Sequence, residues 1–324
     1  MTRYHGTWIY MLCLGACTAQ VAQRSDQQAI MTAQSSTLQG ILQHGTQTQG
    51  ATFQGFQFAG ATLGGAALNN FRLENGELMA EQNGVTLRGT ALVNAHLLAD
   101  FQNKNVHPPA NPVVEYRITS IVPEDARYDP TQTGATFLYT LEENVDGTGN
   151  WQPACPVDSD GRNATIALAD VWDDKGSRNS SAPLFTLGCT TGAIAECYRL
   201  GYRPWVTGFG NLKITHWTCT RLARADYCGD GVSHTLDGTM INVWDNIPIL
   251  AQGTTPPGMS FEAAWDQNGA LCFSHARWSL GGTVAAAACS NKLKPPKNNN
   301  GGSVCDNAQQ GGGNARMFNE SAFH

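Results

Sequence analysis

The stretch RADYCGDGVSHTLDGT, residues 224–239, gathers the residue types that chemistry uses. Asp226, Cys228, Asp230, His234 and Asp237 all fall within it. A thiol with a neighbouring base and a carboxylate to orient that base is the composition of a cysteine nucleophile. Asp226, Asp230 and Asp237 also stand at positions 1, 5 and 12 of a loop with Gly231 at position 6, an echo of a calcium loop. Cys228 at position 3 is no ligand for a hard cation, and position 12 is Asp where that loop has Glu. A paired-carboxylate glycosidase could be assembled from Asp226, Asp230 or Glu262, although any β-rich domain offers that many acids. DSDGRN, with Asp158, Asp160 and Asn163, is a second calcium candidate and also a common turn composition.

The elements that must hold this loop argue for a structural role. LKITHWTCTRLARADYC places Leu212, His216, Cys219 and Leu222 on nearly one face, so a helix should run into the motif. The negative end of a helix dipole raises a thiol pKa, which works against a nucleophilic Cys228. The expectation is therefore an oxidised Cys228, His234 in a turn, and aspartates bonded to local amides. No catalytic set is assigned, no cofactor is expected, and calcium is the only metal weighed for these loops.

Cysteine usage points the same way. Of ten cysteines, Cys13 and Cys17 lie near the N-terminus and eight remain: Cys155, Cys189, Cys197, Cys219, Cys228, Cys272, Cys289 and Cys305. An even number, with no Cys-x-x-Cys pair for zinc, predicts up to four disulfides whose connectivity stays open. Cys289 and Cys305 flank a low-complexity tract and are the natural pair to staple the tail.

The N-terminus, MTRYHGTWIYMLCLGACTAQ, carries Arg3, then an apolar stretch too short to span a bilayer, then small residues. Leu14-Gly15-Ala16-Cys17 resembles the lipobox of bacterial lipoproteins. That resemblance implies a signal peptide at 1–16, acylation of Cys17, and, with Thr18 following, an outer-membrane anchor at the periplasmic or outer face. Residues 17–35 read as a lipidated tether. A net charge of −6 argues against nucleic acid as the main partner and leaves the oligomeric state open.

From Gly40 to Gly65 glycine recurs every five residues, with Phe53, Phe58, Leu63, Leu68, Leu73 and Leu78 as large apolar centres in one register. ATFQG FQFAG ATLGG AALNN FRLEN GELMA resembles the pentapeptide-repeat family, which implies a short right-handed β-helix over residues 36–99. Beyond it, 111–290 reads as a mainly β domain with two short helices, an α+β arrangement, and 291–324 as a low-complexity tail. CTTGAIAECYRLG is the first helix, with Thr190 or Thr191 as cap and Gly201 at its stop, and Asn268-Gly269 marks a hairpin.

FTLGCTTGAIAECYRLGYRPW, HWTCTRLARADYCGDGVSHTLDGTMINVWD and FEAAWDQNGALC together resemble the ADYC-domain proteins, exported bacterial proteins of myxobacterial type. Their name is the four residues that stand here as Ala225-Asp226-Tyr227-Cys228. The resemblance spans roughly residues 112–280 and implies a domain and an exported setting, with no catalytic residues to carry over. Tyr202, Arg203, Trp205 and Trp217 form an aromatic and cationic cluster suited to stacking on a glycan or peptide ligand. The expected function is a lipid-anchored cell-envelope protein acting as a binding or structural module, with an extracytoplasmic hydrolase using the Asp226–Asp237 loop as the alternative.

Overall fold

The computed structural model describes residues 30–33, 57–100, 113–125, 128, 136–144, 147–172, 176–179, 185–235, 239–277 and 305–322. The leader, Cys17, the first part of the repeat, Asp237 and Cys289 lie outside these residues.

Ile30–Ala33 forms β1, and the repeat supplies β2 (Gln57–Leu63), β3 (Ala66–Ala67), β4 (Asn69–Glu74), β5 (Glu77–Gln82) and β6 (Val85–Arg88). Next along the chain are β7 (His96–Asp100), β8 (Val113–Pro123), β9 (Phe137–Asn144) and β10 (Trp151–Pro153). Then come β11 (Thr165–Ala169), β12 (Val171–Trp172), β13 (Arg178–Asn179) and β14 (Phe185–Cys189). Two helices, α1 (Ala193–Arg199) and α2 (Leu212–Ala223), precede β15 (Thr239–Asp245), β16 (Ser260–Asp266), β17 (Gly269–Phe273) and β18 (Met317–Ser321).

The larger sheet runs β14-β11-β9-β8-β7-β2-β3, with β10 added beside β9. The second runs β1-β15-β18-β16-β17, and β4-β5-β6 and β12-β13 make small sheets of their own. All are antiparallel and open. Among the described residues the protein is thus mainly β with two helices, as its strand-and-turn composition implies.

The described half of the repeat departs from a β-helix. Its strands fold back as hairpins, because Asn75-Gly76 and Asn83-Gly84 both hold positive φ (49° and 82°, 51° and 79°). Two left-handed residues in succession make the type I′ turn that matches strand twist. The expected register of centres nevertheless survives: Leu68 and Leu78 are buried, while Leu63 and Leu73 pack at the core's edge. The segment is not a separate stalk. β7 pairs with β8, the Leu78 amide donates to Tyr139 Oη at 2.8 Å, and Phe71 meets Phe185 with ring centroids 6.1 Å apart.

The helices join the two main sheets. α1 packs on β11 and β14, and α2 packs on β16, β17 and β18. Between the helices, Cys197–Cys219 bridges Cα atoms 5.8 Å apart, and His216 Nε2 donates to the Ile194 carbonyl at 2.8 Å. Leu212, His216, Cys219 and Leu222 form the buried face that their spacing predicts. The cap of α1 differs from expectation: Gly192, with no side-chain bond, stands where a threonine was expected. α2 is capped by Asn211, whose Oδ1 accepts the Ile214 amide at 3.2 Å.

Candidate functional site

The four motif residues sit where α2 ends and its exit loop begins. The Ala225 amide donates to the Leu222 carbonyl at 3.0 Å, and the Asp226 amide to the Arg221 carbonyl at 2.9 Å. With Arg224 as C-cap, this is a Schellman motif, and Ala225 occupies its left-handed position at φ 50°. Alanine is an uncommon choice there, and its methyl group is fully buried in the core.

Asp226 is also fully buried. Its Oδ1 accepts the Asp230 amide at 3.1 Å, its Oδ2 accepts the Gly231 amide at 3.0 Å, and Arg221 pairs with it as an ion. The carboxylate therefore organises a turn and neutralises a buried guanidinium. Asp230 Oδ1 accepts the Val232 amide at 3.0 Å, a second local turn. Both aspartates bind backbone amides, as their place in a Gly/Asp turn implies.

Tyr227 is the centre of the arrangement. Its ring lies against Trp265 and Phe273, at 5.2 and 5.6 Å between centroids. Its hydroxyl donates to Glu262 Oε1 at 2.8 Å and accepts from the Arg277 amide at 2.8 Å. Its carbonyl accepts the Ala270 amide at 2.9 Å. This backbone contact requires glycine on both sides: a Cβ on Gly229 would overlap the Asn268 carbonyl, and one on Gly269 the Tyr227 carbonyl.

Arg277, fully buried, uses all five of its donors. Nε and one Nη reach Glu262 at 3.0 and 3.1 Å, while the others reach the Leu222 carbonyl (3.0 Å), the Ala223 carbonyl (3.1 Å) and Thr235 Oγ1 (3.3 Å). It thus caps α2 and pairs with Glu262. Burial pushes the Glu262 carboxyl up, but the Arg277 charge and its hydrogen bonds, with Ser321 and His275, outweigh this and leave it below the usual carboxylate range. Glu262 Oε2 also accepts from Asn319 Nδ2 at 2.7 Å, and Asn319 Oδ1 accepts from Trp265 Nε1 at 2.8 Å. Among the site residues, Arg277 and Asn319 were missed; both are remote from the motif in sequence, and neither carries a local signal.

Cys228 is oxidised, and its disulfide partner is not among the described residues. Cys155–Cys189, Cys197–Cys219 and Cys272–Cys305 account for six more cysteines. Cys305 therefore pairs with Cys272 and not with Cys289: the chain past Ala308 returns beside β16 and β17, which brings Cys305 over Cys272. This density of bridges points to an oxidising, extracytoplasmic compartment. No helix among the described residues is long and apolar enough to cross a membrane.

His234 is half-buried, its amide donating to the Arg224 carbonyl at 3.1 Å and its ring 5.8 Å from that of Tyr227. Burial lowers its pKa, more than Asp230 and Asp226 raise it. The thiol of Cys228 is not available to it as a nucleophile.

The second acidic loop is likewise committed. Asp158 Oδ1 accepts the Asp160 and Arg162 amides, both at 2.9 Å, and Asn163 Nδ2 donates to the Cys155 carbonyl at 2.9 Å. Arg199 stacks 3.8 Å over Tyr128 and pairs with Glu124 and Asp160, each at 2.8 Å. These acids face guanidinium groups. Among the described residues, no cluster of three or more His, Cys, Asp or Glu is placed to hold a metal ion.

The aromatic cluster does not form the expected open surface. Tyr202 and Arg203 are 0 % exposed, because Tyr202 Oη donates inward to Asp245 Oδ2 at 2.7 Å. Trp205, half-buried, lies against Gly76 of the β4–β5 turn, and Trp217 Nε1 donates to the Gly176 carbonyl at 2.9 Å. All four serve packing between elements.

These features define a disulfide-braced antiparallel domain centred on a helix-terminating loop. The family model described as the ADYC domain matches residues 89–279, and the chain belongs to that family. The match begins ahead of β7, which fits the pairing of β7 with β8. Neither a curated protein nor a solved structure gives a match.

Proposed function

We propose that the protein is an exported cell-envelope protein, anchored to the outer membrane by lipid on Cys17, whose ADYC domain is a binding or structural module. One observation carries the module reading. The motif loop's described acids and its cysteine are already engaged: Asp226 in two amide bonds and an ion pair, Asp230 in a turn, Cys228 in a disulfide. A hydrolase would need at least one of them free to meet substrate. The anchor reading rests on the leader and lipobox, together with the oxidising setting that the disulfides imply.

The test is expression with the native leader in a Gram-negative host, fed an alkyne-tagged fatty acid. The wild-type chain should take up label and remain with outer membranes, and Cys17→Ser should take up none and appear as a soluble or uncleaved form. Equal labelling of both would overturn the anchor. Hydrolytic activity that is lost in Asp230→Asn while the fold is kept would overturn the module.

A further inference from the structure

β18 stands between two strands that are not paired with each other. Asn319 is in register with Val243 of β15 on one side and Ala263 of β16 on the other, antiparallel to both. β15 and β16 therefore run parallel, about 10 Å apart, with room for one strand between them. Both flanking strands lie inside the matched family region, which ends at residue 279, and the strand between them lies beyond it.

The slot reads side chains as well as backbone. Met317 is fully buried, and Phe318 stacks on Trp244 with centroids 5.8 Å apart. Asn319 donates to Glu262 at 2.7 Å and accepts from Trp265 at 2.8 Å. Glu320 accepts from Asn242 Nδ2 and Thr255 Oγ1, both at 2.8 Å. Ser321 Oγ lies 3.2 Å from His275 Nε2. Four consecutive residues, Phe318 to Ser321, each meet a side-chain partner, and all those partners sit between residues 242 and 275. Apolar complementarity alone would suffice for a core strand. When an extended peptide adds to a sheet, main-chain hydrogen bonds give affinity and matched pockets for its side chains give specificity.

The tail is also tethered. Cys272–Cys305 fixes the chain to β17 twelve residues before the strand begins at Met317, which keeps the strand at high effective concentration near its slot.

We propose that the gap between β15 and β16 is a peptide-binding slot, selective for an extended segment of Met-Phe-Asn-Glu-Ser chemistry. The chain's own residues 315–322 are its resident ligand, held by Cys272–Cys305. This deepens the binding-module reading by naming a ligand class, and it stands apart from the lipid anchor. Failure of strand capture would leave the Cys17→Ser fractionation unaffected.

The experiment uses the full-length chain with a protease site placed within residues 291–303, cut after folding, with and without the Cys272→Ser and Cys305→Ser pair. The probe is a fluorescein-labelled synthetic peptide of residues 313–322. With the bridge intact, the cut protein should keep its tail and ignore the probe. Without it, the probe should displace the tail saturably, and an Asn319→Leu peptide should bind roughly tenfold more weakly or worse, the scale of one lost buried polar pairing. Circular dichroism tracks the fold throughout. Loss of structure on cutting that the probe restores would support the slot. Loss that it does not restore, absence of uptake, or equal uptake of both peptides would overturn it, leaving β18 an inseparable part of the core.

Discussion

The Tyr227 hydroxyl donates to Glu262 Oε1 at 2.8 Å, joining the residue just after the α2 cap to the middle of a strand thirty-five positions away. The same oxygen accepts the Arg277 amide, so removing it strands a buried carboxylate lone pair and a buried N–H together. Tyr227→Phe should lower unfolding free energy by about 1–3 kcal/mol. A urea titration with unchanged slope and a lower midpoint is the expected outcome.

The two motif aspartates should separate cleanly. Asp226 is the buried partner of Arg221, whose side chain is 3 % exposed, whereas Asp230 bonds one exposed amide. Asp226→Asn leaves a buried guanidinium uncompensated and should cost about 3–5 kcal/mol. Asp230→Asn should cost under about 1 kcal/mol, since Asn supports the same turn. Thermal melts of the two variants side by side check the contrast.

Parity assigns the one bridge left open. Beyond Cys13 and Cys17, Cys289 is the cysteine without a described partner, and Cys228 is oxidised. Peptide mapping of the exported protein under non-reducing conditions should recover Cys228–Cys289 beside the three bridges described. A free Cys228 would contradict it.

Glu143 supplies a pH dependence. Burial on β9 raises its carboxyl from 4.5 to about 7, with no ion-pair partner among the described residues. A raised acid favours the fold below its unfolded pKa, and that contribution is lost as pH rises through about 7. Asp245, raised by burial to about 6, acts with the same sign. Glu143→Gln should therefore stabilise the protein by roughly 1–2 kcal/mol at pH 8 and change little at pH 5. Denaturation midpoints at the two pH values decide this.

The repeat shows what sequence conveys and what it conceals. Its inward centres were legible, since Leu68 and Leu78 are buried. Its topology was not, because a spacing of five also arises from the second cross-strand pair around a two-residue turn, as Leu73 faces Leu78. The Asn-Gly dipeptides at 75–76 and 83–84 were the signal that distinguishes hairpins from coils. In the motif, the turn-binding aspartates and the oxidised Cys228 are consequences of local chemistry. Arg277 and Asn319 are not, because burial of a polar side chain depends on partners brought in by the tertiary fold. Misplacing Cys305 has the same origin, since proximity in sequence says little about which strand a returning chain will lie beside.

The position of β18 dictates an order of events. A chain made from its N-terminus exposes β15, β16 and β17 while the strand that belongs between the first two is still to come, beyond Phe273 by more than forty residues. Until Met317–Ser321 arrives, two facing edges present unpaired amides and carbonyls, with Glu262 and Trp265 lacking Asn319. Closure of this sheet is thus a late, long-range step, slow relative to the local hairpins of residues 57–88, and the unclosed intermediate is the species most exposed to mispairing with another chain.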